Sequence, residues 1–177
     1  MSDEKMNSFR RLFAPRLATL SHILEISEKH FHNDIESILN FRLIDDMLPF
    51  GTQVAYSCNQ PHNFVLWCEG KEADNLDPKI QSIDQAKHLI ERTKSRLMEV
   101  DLQDSKLTEL KRIELGGGRY VELPGLLPGL DYVNEFLVPN FYFHLVTAYD
   151  IMRMKGVSLG KENYMMHLVP LVKQTYA

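Results

Sequence analysis

Apolar residues recur every three or four positions along four long stretches of the chain. This spacing places them on one face of a helix, and such a face packs against a core. Polar and charged residues fill the remaining positions, as expected of helices that are partly exposed to water. The pattern predicts long helices over residues 9–31, 52–70, 82–100 and 131–156.

The predicted ends of these helices carry suitable capping residues. Thr52, Ser82 and Asp131 have side-chain oxygens that accept hydrogen bonds from the free N–H groups of a first turn. Ser82 and Gln85 also have the spacing of a capping box. Gly156 follows the last periodic residue of the fourth helix, where a glycine favours a left-handed stop.

Two prolines fall inside predicted helices. An interior proline removes a backbone hydrogen bond and costs roughly 3 kcal/mol in a regular helix. For Pro61 we expect either a kink near Cys58 or two shorter helices in place of one. For Pro139 we expect a kink at about Glu135.

The pattern changes between residues 111 and 123, where apolar and polar residues alternate on both sides of three glycines. This alternation predicts a two-stranded hairpin with a permissive turn. A phosphate-binding loop is the alternative, but the glycines lack the lysine and the spacing of that motif.

Together these elements predict an all-α protein, a four-helix bundle with a small β-hairpin between the third and fourth long helices. The length of 177 residues suits a single domain over 1–177. We expect residues 1–8 to be frayed at the end of the chain. Residues 162–177 are expected to form a tail that packs on the bundle or on a partner.

Composition narrows the possible partners. The net charge of −4 gives no electrostatic attraction to nucleic acid or to an anionic membrane. Cys58 and Cys68 lie ten residues apart on one predicted helix, too far along its axis to form a disulfide. With no apolar run of membrane length and no signal peptide in the sequence, these features indicate a cytoplasmic protein.

His144 is the main candidate for chemistry, since it lies among aromatic residues on the fourth predicted helix. It is either a core histidine with one satisfied hydrogen bond or a ligand or general base. Asp46 follows Arg42 by four residues, so the two form an ion pair if that stretch is helical. Alternatively, Asp46, Gln53 and His144 line a polar pocket inside the bundle.

Two segments, RLIDDMLPFGTQV (42–54) and PNFYFHLVTAYDIMRMKGVSLGK (139–161), resemble the family of domains of unknown function DUF1993. This family is similar in fold to the DinB/YfiT-like group of metalloenzyme-like proteins. The resemblance covers roughly residues 9–164 and implies a helical bundle, often a dimer, with no known reaction. The residues that match the family pattern are Arg42, Leu43, Asp46, Met47, Pro49, Pro139 to His144, Ala148, Tyr149, Gly160 and Lys161.

The resemblance also implies where a metal would bind. DinB-like proteins typically hold a divalent metal with one histidine on the second helix and two about four residues apart on the fourth. His144 matches the first of the pair, but Ala148 stands at the second position. Gln60 stands where relatives often carry histidine, and His62 lies about 200° further around the helix. The candidate ligands are therefore His144, His62 and Asp46.

Two functions follow from these observations. The first is a non-catalytic binding or assembly module with a degenerate metal site and no cofactor. The second is a divalent-metal-dependent hydrolase or thiol transferase in which His144 holds the ion and a water molecule. In both cases we expect a homodimer that binds neither nucleic acid nor membrane. The sequence does not identify the small-molecule ligand.

Overall fold

The computed structural model describes residues 3–32, 34–123 and 126–173 of the chain, and most of them are helical. The helices are α1 (Glu4–His30), α2 (Phe50–Cys68), α3 (Ile83–Glu99), α4 (Pro128–Asp131), α5 (Val138–Met154) and α6 (Lys161–Tyr164). A hairpin of β1 (Arg112–Gly116) and β2 (Arg119–Glu122) lies between α3 and α4. Short 3₁₀ turns occupy Ile35–Asn40, Asp104–Thr108 and Met166–Leu171, and Tyr132–Leu137 is π-helical.

Helix α1 begins earlier than the pattern predicted. Residues Glu4 to Ser8, expected to be frayed, form its first turns. Met6 is completely buried, and its N–H donates to Oδ1 of Asp104 over 2.9 Å. A partner distant in sequence therefore fixes this end of the helix.

Helix α2 is continuous through Pro61, so the expectation of two shorter helices is wrong. It packs against both α3 and α5, and most of its residues are buried. Packing on several sides outweighs the local cost of one proline. The helix also begins at Phe50, so Thr52 is not its cap; the Thr52 hydroxyl instead donates to the carbonyl of Pro78 over 3.2 Å.

The cap predicted for α3 is confirmed. Oγ of Ser82 accepts the N–H of Gln85 over 3.1 Å. The Gln85 side chain returns to the N–H of Gln81 over 2.7 Å, one residue before the position a capping box would give.

The hairpin is confirmed as an antiparallel pair in which Ile113 lies opposite Val121. Gly117 and Gly118 form its turn with φ values of 61° and 74°, a left-handed geometry that glycine adopts without strain. These glycines therefore serve the turn and not a phosphate loop.

A π-helical segment leads into α5. The N–H of Val138 bonds to the carbonyl of Val133, five residues back. This wider turn includes Glu135, where we expected Pro139 to disturb the helix. Asp131 was expected to cap the fourth helix, but it lies in α4 and makes no side-chain capping bond. Asp131 already has helical geometry, so no new helix begins after it that its side chain could cap.

Helix α5 ends as predicted. Gly156 has φ of +87°, and the N–H of Val157 bonds to the carbonyl of Met152 over 3.1 Å. The N–H of Gly156 bonds to the carbonyl of Arg153 over 3.1 Å, which completes a Schellman stop.

The core lies between α1, α2, α3 and α5. Phe13 of α1 meets Phe141 of α5 edge to face with ring centroids 5.1 Å apart, and Phe64 of α2 contacts the same phenylalanine of α1. The segment after α5 packs on α1, where the Thr19 hydroxyl donates to the carbonyl of Tyr164 over 3.3 Å.

Cys58 is buried and Cys68 is half-buried, and both are free thiols, as the sequence predicted. Among the described helices, none combines the length and the apolar character needed to cross a membrane.

Candidate functional site

A cleft of about 510 Å³ opens beside α2. Helix α2 forms one side of it, and the 72–78 loop and the start of β1 form others. The π-helical segment and α5 complete the wall. The cleft is lined by Tyr56, Asn59, Gln60 and Asn63, by residues 72, 73, 75–78 and 111–114, and by Tyr132, Phe136, Asn140 and His144.

His144 is oriented by Gln53, which is 1% exposed. Nε2 of Gln53 donates to the carbonyl of Leu48 over 3.0 Å, and Oε1 lies 2.8 Å from Nδ1 of His144. A carbonyl oxygen only accepts, so the Leu48 contact fixes the orientation of the amide. The proton of the imidazole is therefore assigned to Nδ1, which donates to Gln53.

The other ring nitrogen of His144 is a free acceptor. Burial lowers the pKa of His144 from 6.5 to about 4, so the ring is neutral near pH 7. Nε2 has no hydrogen-bond partner within the described part of the chain, and it is not sealed from solvent. The ring also lies against Tyr56, with centroids 5.1 Å apart. Nε2 thus offers a lone pair to a donor in the cleft.

A clamp of asparagines, Asn59, Asn63 and Asn75, holds the 72–78 loop on α2. Nδ2 of Asn59 and Nδ2 of Asn63 both donate to Oδ1 of Asn75, over 2.9 and 3.2 Å. Their own oxygens accept the backbone N–H groups of Leu76 and Asp74, over 2.9 and 3.1 Å. The clamp satisfies buried amides and sets the position of one wall of the cleft.

Two further amides leave polar atoms available. Gln60 is 6% exposed, lines the cleft, and has no hydrogen-bond partner among the residues described. Nδ2 of Asn140 donates to the carbonyl of Phe136 over 2.8 Å, which leaves its Oδ1 without a partner within 3–32, 34–123 and 126–173. Neither amide is sealed from solvent, so water or a ligand in the cleft can reach both.

The structure brings Gln53 and His144 together but leaves Asp46 outside the cleft. Asp46 is exposed in the irregular segment between the first 3₁₀ turn and α2. The expected ion pair of Arg42 with Asp46 does not form, and the guanidinium donates instead to the carbonyl of Met47. The reason is local: the segment is not helical, so residues four apart do not share a face.

The predicted metal ligands do not form a site. Nδ1 of His62 lies 3.3 Å from Nη1 of Arg96, and burial together with this guanidinium lowers the pKa of His62. A cation there would be repelled by Arg96. No group of three histidine, cysteine, aspartate or glutamate residues in the described ranges is placed to hold a metal ion. The donor set of His144, His62 and Asp46 therefore does not fit a divalent metal.

Sequence reasoning missed the asparagines of the cleft and noted Gln60 only as the replacement of a histidine. Asn59, Gln60 and Asn63 stand in a mostly apolar helix, and two of them are four residues apart on one face. A buried amide needs partners, so polar residues on the buried face of α2 were the available signal. Their partner Asn75 lies in a polar loop and carried no such signal.

Comparisons with known proteins bear on the fold. The family model of the domain of unknown function DUF1993 matches residues 8–165. A DinB family member protein from Shewanella denitrificans, solved by crystallography at 1.83 Å resolution, superposes with a TM-score of 0.75 and 22% sequence identity. The match covers 100% of this chain and 99% of that one. No curated protein matched the chain.

Proposed function

We propose from the geometry of the cleft that this chain, which belongs to the DUF1993 family of unknown function, is a non-catalytic binding module. Its four long helices would form a four-helix bundle, and the cleft beside α2 would hold a small polar molecule. The DinB-like fold of a neighbouring structure supports this architecture.

The observation that carries the proposal is that two polar side chains with unpartnered atoms, His144 and Gln60, both line the cleft. Nε2 of His144 is an oriented acceptor, because its Nδ1–H is held by Gln53. Gln60 is 6% exposed as a residue, its amide is reached from the cleft, and it has no hydrogen-bond partner in the described part of the protein. A concave site with a few oriented polar groups is typical of small-molecule binding.

The electrostatics of His144 favour binding over catalysis. An efficient general base near neutral pH has a pKa near 7, whereas burial lowers that of His144 to about 4. Its Nδ1 contacts a neutral amide and not a carboxylate, so this contact supplies no negative charge to stabilise an imidazolium. The ring is suited to accept a hydrogen bond and stay neutral.

A metal-dependent hydrolase or thiol transferase with His144 as a ligand is the second candidate. One observation favours it: a histidine whose Nδ1–H contacts an oxygen while Nε2 is accessible has the orientation of a metal ligand. The lack of further donors near His144 weighs against it. Metal analysis of the purified protein separates the two candidates, since only the second requires stoichiometric metal that is lost in His144→Ala.

Thermal unfolding in the presence of candidate ligands tests the binding proposal. The panel contains primary amides, polyols, amino acids and the divalent ions of zinc, nickel and manganese. A ligand of the native state raises the Tm in proportion to its affinity. We expect at least one polar organic class to raise the Tm of the wild type and not that of His144→Phe or Gln60→Leu.

His88→Phe is the matched control, because His88 is exposed and does not line this cleft. It should respond like the wild type. If no organic class raises the wild-type Tm, or if both cleft variants respond fully, the binding proposal is wrong. A shift produced only by a metal would support the second candidate.

We also propose that the protein is a cytoplasmic homodimer. The resemblance of the chain to its family supports a dimer, and so do exposed apolar residues on α5, with Phe143 58% and Val146 40% exposed. The free cysteines agree with a reducing compartment. Light scattering that returns a monomer at micromolar concentration would contradict the dimer.

A further inference from the structure

We propose that the ligand of the cleft is a small zwitterion, an α-amino acid whose side chain carries a hydrogen-bond donor. This inference rests on the proposed binding function and names its ligand class. It follows from charges of opposite sign on two sides of the cleft and from neutral acceptors on its wall.

The cationic side of the cleft is at the start of the hairpin. Nζ of Lys111 lies 5.9 Å from the ring centroid of Tyr132 and forms no ion pair with any described residue. Its neighbour Arg112 is engaged, since Nε lies 2.7 Å from Oε1 of Glu114 and the guanidinium stacks 3.5 Å from the ring of Tyr120. Lys111 is therefore the cation available to a ligand carboxylate.

The anionic side of the cleft is the 72–78 loop. Glu72 lines the cleft and pairs with no cation in the described ranges. Asp77 also lines it, but its Oδ1 accepts the N–H of Lys79 over 2.9 Å. The asparagine clamp fixes the loop between them through Asp74 and Leu76. Glu72 is therefore the carboxylate available to a ligand ammonium.

The balance of charge disfavours polyanions and gives a zwitterion one more charged partner than a simple cation. The lining contains Lys111 and Arg112 against Glu72, Asp77 and Glu114, so a polyanion meets more negative than positive charge. A simple cation would gain from Glu72 but would be repelled by Lys111. A zwitterion offers a group of opposite charge to each of these two side chains.

The wall of the cleft selects for a donor on the ligand side chain. Nε2 of His144 and Oδ1 of Asn140 are acceptors without partners in the part of the chain that is described. Gln60 adds an unpartnered amide that is 6% exposed. A hydroxyl or primary amide supplies the donor that these acceptors lack, and the Gln60 N–H groups can meet its oxygen.

Isothermal titration calorimetry with matched probes tests the inference. The probes are L-serine, L-asparagine and L-glutamine, each compared with its N-acetyl derivative, its carboxamide and its doubly blocked form. We expect at least one free amino acid to bind, and its doubly blocked form to bind at least about tenfold more weakly.

Two variants test which side chain binds each charged group of the ligand. Lys111→Met should weaken the binding of the free amino acid and leave the affinity of its carboxamide unchanged. The carboxamide has no carboxylate, so it has no contact with Lys111 to lose. Glu72→Gln should weaken the binding of the free amino acid and leave the affinity of the N-acetyl derivative unchanged, because that derivative has no ammonium group. Lys161→Met and Glu36→Gln, exposed and outside the cleft, are the matched controls and should bind like the wild type.

The outcomes separate this inference from the binding function. A doubly blocked form that binds as well as the free amino acid overturns the zwitterion inference and leaves the binding function intact. If no amino acid binds but a polyol or simple amide still raises the Tm, the zwitterion inference is likewise overturned and the binding function stands. Failure of all organic probes in both experiments overturns both.

Discussion

Nδ1 of His144 lies 2.8 Å from Oε1 of Gln53, and this contact determines which imidazole nitrogen is available to the cleft. Replacing Gln53 with glutamate puts a carboxylate at the same place and stabilises the imidazolium. We expect Gln53→Glu to raise the pKa of His144 above its present value of about 4. An NMR titration of the ring measures it, with the exposed Gln103→Glu as control. An unchanged pKa in Gln53→Glu would mean that the two side chains are not in contact.

The low pKa of His144 makes stability depend on pH. The pKa is about 4 in the folded chain and near 6.5 when the ring is exposed, so the unfolded state takes up the proton first. The contribution is complete above pH 6.5 and is lost as the pH falls towards 4. We expect a loss on the order of 2 kcal/mol, allowing for the water that still reaches the ring.

Urea denaturation at pH 7, 5.5 and 4 measures this contribution as a difference between the wild type and His144→Gln. The variant lacks the titrating ring and keeps the carboxylates that titrate in both proteins. Parallel losses of stability in the two proteins would contradict the assignment to His144.

The long helices were predictable because their periodic apolar faces are a local property of the sequence. Ser82 and Gly156 were predictable as helix ends for the same reason. The start of α2 was not, since the Thr52 hydroxyl has a partner in the 72–78 loop, which no local pattern reveals.

For the site, the sequence predicted that Gln53, His144 and Asp46 lie together, and the structure brings only Gln53 and His144 into contact. The first two lie on helices whose buried faces could be read from spacing. Asp46 lies in an irregular segment, where the direction of a side chain depends on tertiary contacts. Gln60 was noted only as the replacement of a histidine, and the asparagine clamp was missed because its role depends on packing between α2 and a loop.

The asparagine clamp should be necessary for the position of the 72–78 loop. Asn59→Leu removes the acceptor of the Leu76 N–H and one donor to Asn75. We expect a loss of about 1–3 kcal/mol in the free energy of unfolding and faster hydrogen exchange at Leu76. The exposed Asn134→Ala is the control and should change neither. Unchanged exchange at Leu76 in Asn59→Leu would show that the loop is held by other contacts.

Gly129 is packed too closely for a side chain. A Cβ there would overlap the carbonyl oxygen of Lys106 and lie 2.7 Å from Cζ2 of Trp67. We expect Gly129→Ala to destabilise the fold by about 1–3 kcal/mol, because backbone must move. At Gly160 a Cβ would lie 3.8 Å from Oδ1 of Asn163, so Gly160→Ala should cost less than about 1 kcal/mol. Equal Tm values for the two variants would contradict this packing.

Asp46 should contribute little to stability, because Arg42 donates to the carbonyl of Met47 instead. We expect Asp46→Asn to change the free energy of unfolding by less than about 0.5 kcal/mol, as for other exposed sites. Arg42→Met should cost more, since it removes a hydrogen bond to the backbone. A double-mutant cycle checks both values, and a coupling energy above about 0.5 kcal/mol would indicate an ion pair after all.

The π-helical segment at Tyr132–Leu137 has a consequence for how the cleft tolerates change in the gene. A turn that closes over five residues holds one residue more than an α-helical turn, so it is equivalent to a single-residue insertion. The wider turn absorbs that residue, so the helical path on either side of it keeps its rotation. Loss of one codon there would restore a regular helix and leave its flanks in phase, whereas loss of one codon in α5 before His144 would rotate the preceding residues by about 100° relative to His144. A one-residue deletion should therefore be tolerated better within Tyr132–Leu137 than in the first turns of α5.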